Sequence, residues 1–174
     1  MISNEKFQTR VQEAGATANG GRMPEELASL IDEPIGEKEG ALVFLNLGAQ
    51  TLSVSDFTDL TEYEALANKI HIEDYVTGPS DVVFLAAIEF SGRLAIRLEA
   101  FGRRCKVILS EQVPGDPVVR FISLRRNTAW ELDPNTYQTE AVAVWDVGSE
   151  RARPNDLRSA ARAQGEDESS DASK

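Results

Sequence analysis

His71 and Cys105 are the only histidine and the only cysteine of the chain, and their side chains are of the types that could do chemistry. His71 lies in the segment KIHIEDY, close to Glu73 and Asp74, and such a group could hold a metal ion or transfer a proton. A second histidine or cysteine ligand is missing from this segment, and a helix end rich in charge is more typical of solvated surface. We therefore predict no metal site and no catalytic pair here.

Cys105 follows two arginines and precedes a lysine, which could lower the pKa of its thiol. In the strand pattern it shares a face with Val107 and Leu109, and this placement predicts a buried, unreactive cysteine. The chain lacks the glycine-rich phosphate loop, the dinucleotide-binding fingerprint, the nucleophile elbow and the zinc-peptidase motif. No cofactor is predicted. A small enzyme that uses Cys105, His71 or the loop WELDPNTY (residues 130–137) is our third interpretation.

The basic side chains are distributed unevenly along an acidic chain. The formal net charge is −11, yet residues 91–126 carry eight basic and three acidic side chains. Seven of the eight are arginine, whose planar fork suits a carboxylate or a phosphate. These candidate binding residues are Arg93, Arg97, Arg103, Arg104, Lys106, Arg120, Arg125 and Arg126.

Three explanations for this basic block remain open. The arginines could pair with acids of the same chain, they could form a protein interface, or they could bind phosphate or nucleic acid. Only Phe101 and Phe121 supply aromatic rings within the block, and this sparseness weighs against nucleic acid. We therefore expect a non-enzymatic protein-interaction module, of an accessory, inhibitor, immunity or assembly type, that docks through acidic faces and an arginine-lined sheet. The alternative is a domain that binds an anionic ligand or nucleic acid.

Three segments have the spacing of helices that would help to position these residues. The first, near the N-terminus, places Phe7, Val11 and Ala14 on one face. The second is MPEELASLIDEP, with Pro24 at its first helical position. The third is TEYEALANKIHIEDY, in which Thr61 and Glu64 have the spacing of a capping box.

Several other segments are predicted to be strands. The clearest are residues 41–47, 51–57, 82–90, 105–109, 118–126 and 141–147. The segment 118–126 is apolar on both faces, which predicts a central or covered strand. The segment SGRLAIRLEAFG (residues 91–102) is ambiguous: its residue types favour a helix and its period of two favours a strand. We interpret it as a strand, so that Arg93 and Arg97 share one face of the sheet.

These elements predict an α+β fold with an antiparallel sheet or a partly closed β-barrel of about six to seven strands, flanked by two or three helices. Residues 1–22 are expected to be an N-terminal segment and flexible linker, 23–148 a single globular domain, and 149–174 an acidic, mostly disordered tail.

The composition limits the surroundings and the partners of the chain. The longest nearly apolar run is too short for a membrane span, and the lone cysteine fits a reducing compartment. We therefore expect a cytoplasmic protein without membrane contact, whose partner is another protein or copies of itself. Its net charge of −11 favours basic partners or simply good solubility and makes nucleic acid an unfavoured partner.

Overall fold

The computed structural model describes residues 1–17, 23–47, 51–125 and 133–148. Within these ranges the helices are α1 (Glu5–Thr17), α2 (Glu25–Asp32), α3 (Leu60–Ala67) and α4 (Ser80–Glu99). The strands are β1 (Ile2–Ser3), β2 (Ile35–Lys38), β3 (Ala41–Phe44), β4 (Ile70–His71), β5 (Cys105–Glu111), β6 (Val118–Ser123) and β7 (Ala141–Val147). Short 3₁₀ turns occur at Val54–Asp56, Ile72–Asp74 and Pro134–Thr136.

The strands form one antiparallel sheet and one separate hairpin. The sheet has five strands in the order β1-β7-β5-β6-β4, and the hairpin joins β2 to β3. The predicted α+β class and antiparallel sheet are therefore confirmed, and in the described part of the chain the sheet is open at β1 and β4. The segment 118–126 was predicted to be a central or covered strand, and β6 does lie between β5 and β4.

Helices α1 and α4 cover one face of the sheet. Phe7 of α1 packs against Phe84 of α4 with ring centroids 5.4 Å apart, and both rings join the same core as Val107 and Phe121 of the sheet. Strand β1 pairs with β7, and Ala14 of α1 is fully buried. The N-terminal elements thus belong to the same sheet and core as residues 23–148. The linker at 18–22 and the tail at 149–174 lie outside the described residues.

Helix α3 covers part of the opposite face. Ala65 packs there with Ile108, Ile122 and Val144, which alternate along their strands with the residues that face α4. The hairpin of β2 and β3 lies beside α3, and its turn places Glu39 (φ 51°) and Gly40 (φ 85°) in left-handed conformations. Two consecutive positive φ angles are those that a two-residue hairpin turn requires.

The prediction of strands at 82–90 and 91–102 is wrong, because residues 82–99 belong to the single helix α4. One broad side of this helix is buried, from Val83 to Leu98, so its apolar residues do not display a narrow stripe. Ser91 lies in mid-helix and donates its hydroxyl to the Ala87 carbonyl at 2.8 Å. Gly102 follows α4 at φ 63°, a conformation typical of a helix end.

The predicted strand at 51–57 is also wrong. The structure forms a 3₁₀ turn at Val54–Asp56, and β3 pairs instead with β2 (Ile35–Lys38). Leu52 and Val54 alternate with polar residues, as in a strand, but they pack against the small cluster that contains Tyr63. Burial of these side chains therefore needs no strand pairing.

The N-terminus of α3 differs from its predicted cap by two residues. Asp59 accepts hydrogen bonds from the amides of Thr61 and Glu62, at 2.7 and 2.9 Å. The Glu62 carboxylate in turn accepts from the Thr58 amide at 3.0 Å. The predicted capping box of Thr61 and Glu64 is wrong, since Glu64 is fully buried.

Candidate interaction site

The structure places the predicted basic residues on several elements. Arg93 and Arg97 lie on α4, while Arg103 and Arg104 lie in the turn that follows it. The sheet face predicted to carry Arg93 and Arg97 does not exist, because their segment is helical. Lys106 and Arg120 lie on β5 and β6, Arg125 follows β6, and Arg126 lies outside the described residues.

Four of these residues pair with acids of the same chain. The pairs are Arg93 with Glu89, Arg103 with Glu37, Lys106 with Asp146 at 3.8 Å, and Arg125 with Glu64 at 2.6 Å. The first two pairs are exposed and contribute little to stability. Pairing within the chain, one of the three open explanations, thus accounts for half of the basic set.

Glu64 is a buried carboxylate that sequence reasoning missed. Its oxygens accept from the Leu42 amide at 2.7 Å, from the Ser123 amide at 2.7 Å and from the Ser123 hydroxyl at 2.8 Å. The Arg125 guanidinium donates to both oxygens, and it also donates to the Gly40 carbonyl at 3.2 Å. This fully satisfied carboxylate joins α3, β3 and β6, which is a structural role.

Cys105 lies near this network and is completely buried, as predicted. Burial, and next the negative charge of Glu64, raise the pKa of its thiol to about 11. The neighbouring arginines oppose this shift only in part. The thiol is therefore protonated at neutral pH, and a thiolate nucleophile is not available in the folded protein.

The other residues considered for chemistry form no larger group. His71 Nδ1 lies 2.9 Å from a carboxylate oxygen of Glu73, and both side chains are partly exposed. In the described ranges, no group of three or more histidine, cysteine, aspartate or glutamate side chains is arranged to hold a metal ion. Of the loop WELDPNTY only residues 133–137 are described, and there Asp133 caps a 3₁₀ turn.

A groove of about 490 Å³ runs between the outer side of α4 and strand β7. Ile96 and Met1, two of its lining residues, are 71% and 64% exposed. Ile88 and Trp145 extend this apolar lining. Gly92 also lines the groove, and a Cβ atom at this position would meet no atom within 4 Å. The groove is thus accessible and open at its glycine, and its lining combines exposed apolar side chains with charged ones.

The outer edge of β7 adjoins this groove. Strand β1 pairs only with Ala143 and Val144, and the Asn4 amide donates to the Val142 carbonyl at 3.1 Å. Backbone groups of alternate residues point to the same side of a strand, so the amide and carbonyl of Asp146 also point outwards. No described strand pairs with this outward side at Asp146. Within the described ranges, a strand edge without a partner and a groove with exposed apolar side chains therefore lie side by side.

No helix in the described ranges has both the length and the apolar character needed to cross a membrane.

Comparisons with known proteins give a family. Neither the curated proteins nor the solved structures include a match to this chain. The family described as "Uncharacterized protein PM0498 family" matches residues 2–157, and the chain therefore belongs to this family.

Proposed function

We propose that this protein is a non-enzymatic protein-interaction module that binds an extended segment of a basic partner protein. The segment would lie in the groove beside α4 and add a strand to the outer edge of β7. The observation that carries the proposal is the position of a groove with exposed apolar side chains beside a strand edge with which no described strand pairs at Asp146. Addition of a strand to a free sheet edge is a recurring mode of peptide recognition.

The apolar residues of the groove would supply much of the affinity. Complete burial of an isoleucine side chain contributes about 1.5–3 kcal/mol, and Ile96 is 71% exposed before any partner binds. Each backbone hydrogen bond made to Asp146 would add about 0.5–1.5 kcal/mol. A partner that fills the groove and pairs with the strand thus has a sufficient source of binding free energy.

The charges around the groove favour a basic segment. Glu89 and Glu99 line it together with Arg93, which pairs with Glu89, while the Asp146 carboxylate pairs with Lys106 on the opposite face of the sheet. The chain as a whole carries a net charge of −11, which would attract a basic partner and repel a second copy. We therefore expect a segment that combines apolar residues with lysine or arginine, as in a target held by an accessory, inhibitor or assembly protein.

We also propose that the protein works in the cytoplasm. Its only cysteine is a buried free thiol, which fits a reducing compartment. Fractionation of cells that express the full chain tests this location. Recovery with the periplasmic or secreted fraction would contradict it.

Selection from a peptide library tests the proposed groove. A library of displayed peptides is selected on the full chain, and the enriched peptides are titrated by calorimetry against wild type and two variants. Gly92→Phe fills the groove, whereas Gly15→Phe is the matched control, since Gly15 is also helical and a Cβ there meets nothing within 4 Å.

We expect enriched peptides with alternating apolar residues and flanking lysine or arginine. Their affinity should fall at least about tenfold in Gly92→Phe and stay unchanged in Gly15→Phe. Failure to enrich any peptide, or equal affinity for both variants, would contradict the proposal. Sedimentation of the free protein as a dimer that Gly92→Phe dissociates would instead assign the groove to a second copy.

A further inference from the structure

Arg120 is a poorly solvated cation in the middle of β6. It pairs in register with Ile108, so its side chain lies on the sheet face opposite α4. Its Nε is buried without a hydrogen-bond partner, and no described carboxylate forms an ion pair with it. Burial lowers the pKa of the guanidinium, and the charge of Glu140 opposes this shift. Such a group is costly unless an anion compensates it.

A cavity of about 260 Å³ lies in front of Arg120. Ser110 of β5 pairs with Val118, which lies two residues from Arg120 along β6. The Ser110 hydroxyl therefore lies on the same sheet face as Arg120. Lys69, immediately before β4, contributes a second cation to the lining. The lining also includes the amide of Gln112 and the carboxylates of Asp116 and Glu140.

We propose that this cavity binds the carboxylate group of a small monocarboxylate ligand, with the Arg120 guanidinium as its main partner. A guanidinium presents donors in a fork that matches the two oxygens of a carboxylate. Lys69, the Ser110 hydroxyl and the Gln112 amide add donors around the same space. The site is separate from the groove beside α4, since Arg120 lies on the other face of the sheet.

The two acids of the lining determine which anion fits. Asp116 and Glu140 repel negative charge, and the repulsion is greater for a dianion than for a monoanion. A volume of about 260 Å³ lies just below the range of about 300–1,000 Å³ that is typical of ligand pockets, and it admits a small ligand. A short monocarboxylate such as propionate, with its single charge, therefore meets less repulsion than the dianion of inorganic phosphate.

Titration of the full chain with propionate, followed by backbone amide signals in NMR, tests this site. Inorganic phosphate and sodium chloride at matched ionic strength are titrated in parallel. The variants are Arg120→Met and the milder Arg120→Lys. The matched control is Arg104→Met, because Arg104 is an exposed arginine of the same basic block and lies on the turn before β5.

Saturable shifts at Ser110 and Gln112 with propionate, in the millimolar range, are the expected result. Phosphate should bind at least about tenfold more weakly, and Arg120→Met or Arg120→Lys should weaken propionate by about tenfold or more. Arg104→Met should bind like wild type. Propionate shifts no larger than those from chloride, stronger phosphate binding, or unchanged affinity in both Arg120 variants would overturn the proposal.

Discussion

Replacement of Glu64 by alanine should destabilise the protein more than any substitution of an exposed acid on the same helix. The Glu64 carboxylate is fully buried and is the acceptor for the Leu42 and Ser123 amides and for the Ser123 hydroxyl. Alanine removes all of these acceptors at once. It also breaks the ion pair of Arg125 with Glu64, although Arg125 keeps its hydrogen bond to the Gly40 carbonyl.

The expected loss in the free energy of unfolding depends on the hydrogen-bond donors that stay buried in Glu64→Ala. Leu42 and Ser123 are 3% and 4% exposed, so water cannot readily replace the lost acceptor. A buried donor without a partner costs about 1–3 kcal/mol, and loss of one member of a buried ion pair costs about 3–5 kcal/mol. The Arg125 side chain is 27% exposed and can recover some hydration. We therefore expect a loss of about 3–5 kcal/mol in the free energy of unfolding.

Equilibrium urea unfolding of wild type, Glu64→Ala and the matched variant Glu62→Ala measures this effect. Glu62 lies in the first turn of the same helix with an exposed carboxylate, so its replacement should have a much smaller effect. The free energies are comparable only if the denaturant slope stays constant. A loss below about 1 kcal/mol for Glu64→Ala, or equal losses for the two variants, would refute the reasoning.

Three further predictions concern other parts of the fold. Cys105, with its pKa raised to about 11, should resist alkylation at pH 8 in the native protein and react once urea unfolds it; rapid native labelling, measured by mass spectrometry, would contradict its burial. Thr58→Val should raise the pKa of Glu62 in an NMR titration, because hydrogen bonds from Thr58 hold that pKa below 4.5. A group with a lowered folded-state pKa loses its stabilising effect as the pH falls. Wild type should therefore lose more stability than Thr58→Val on acidification below about pH 4.5. Equal losses of stability in the two proteins would contradict this prediction. Gly148→Ala should lower the melting temperature, since Gly148 has φ 66° and a Cβ there would lie 2.8 Å from the Arg103 carbonyl oxygen; an unchanged melting temperature would be inconsistent with this contact.

Much of the fold could be predicted from local patterns. The strands predicted at 141–147 and 118–126 correspond to β7 and β6. Pro24 and the acids after it mark the start of α2. In each case the pattern is set by neighbouring residues and by the period of one element.

Helix α4 could not be predicted because its signal depends on tertiary burial. The run VVFLAAIEF is apolar enough for a buried strand and for a helix packed on a sheet, and its periodicity does not separate them. Because this segment is helical, the prediction that Arg93 and Arg97 share one face of a strand is also wrong. The helix instead turns Ile96 and Gly92 towards the groove beside β7.

The role of Glu64 and the free edge of β7 depend on contacts that are distant in sequence. Glu64 meets Ser123 across 59 residues, and nothing near Glu64 in the sequence indicates this burial. Among the described strands, β1 pairs with β7 only at Val144 and Ala143, two and three residues away from Asp146. Such a site can be located only when the register of the strands in the folded sheet is known.

Hydrogen exchange at the Asp146 amide, with and without a peptide selected on the full chain, tests the proposed interaction site most directly. We expect fast exchange in the free protein, because this amide points outwards from an edge with which no described strand pairs. Exchange should slow markedly in the complex, when the amide donates to the added strand. An amide that is already protected in the free protein, or one that still exchanges fast in a saturated complex, would contradict strand addition at β7.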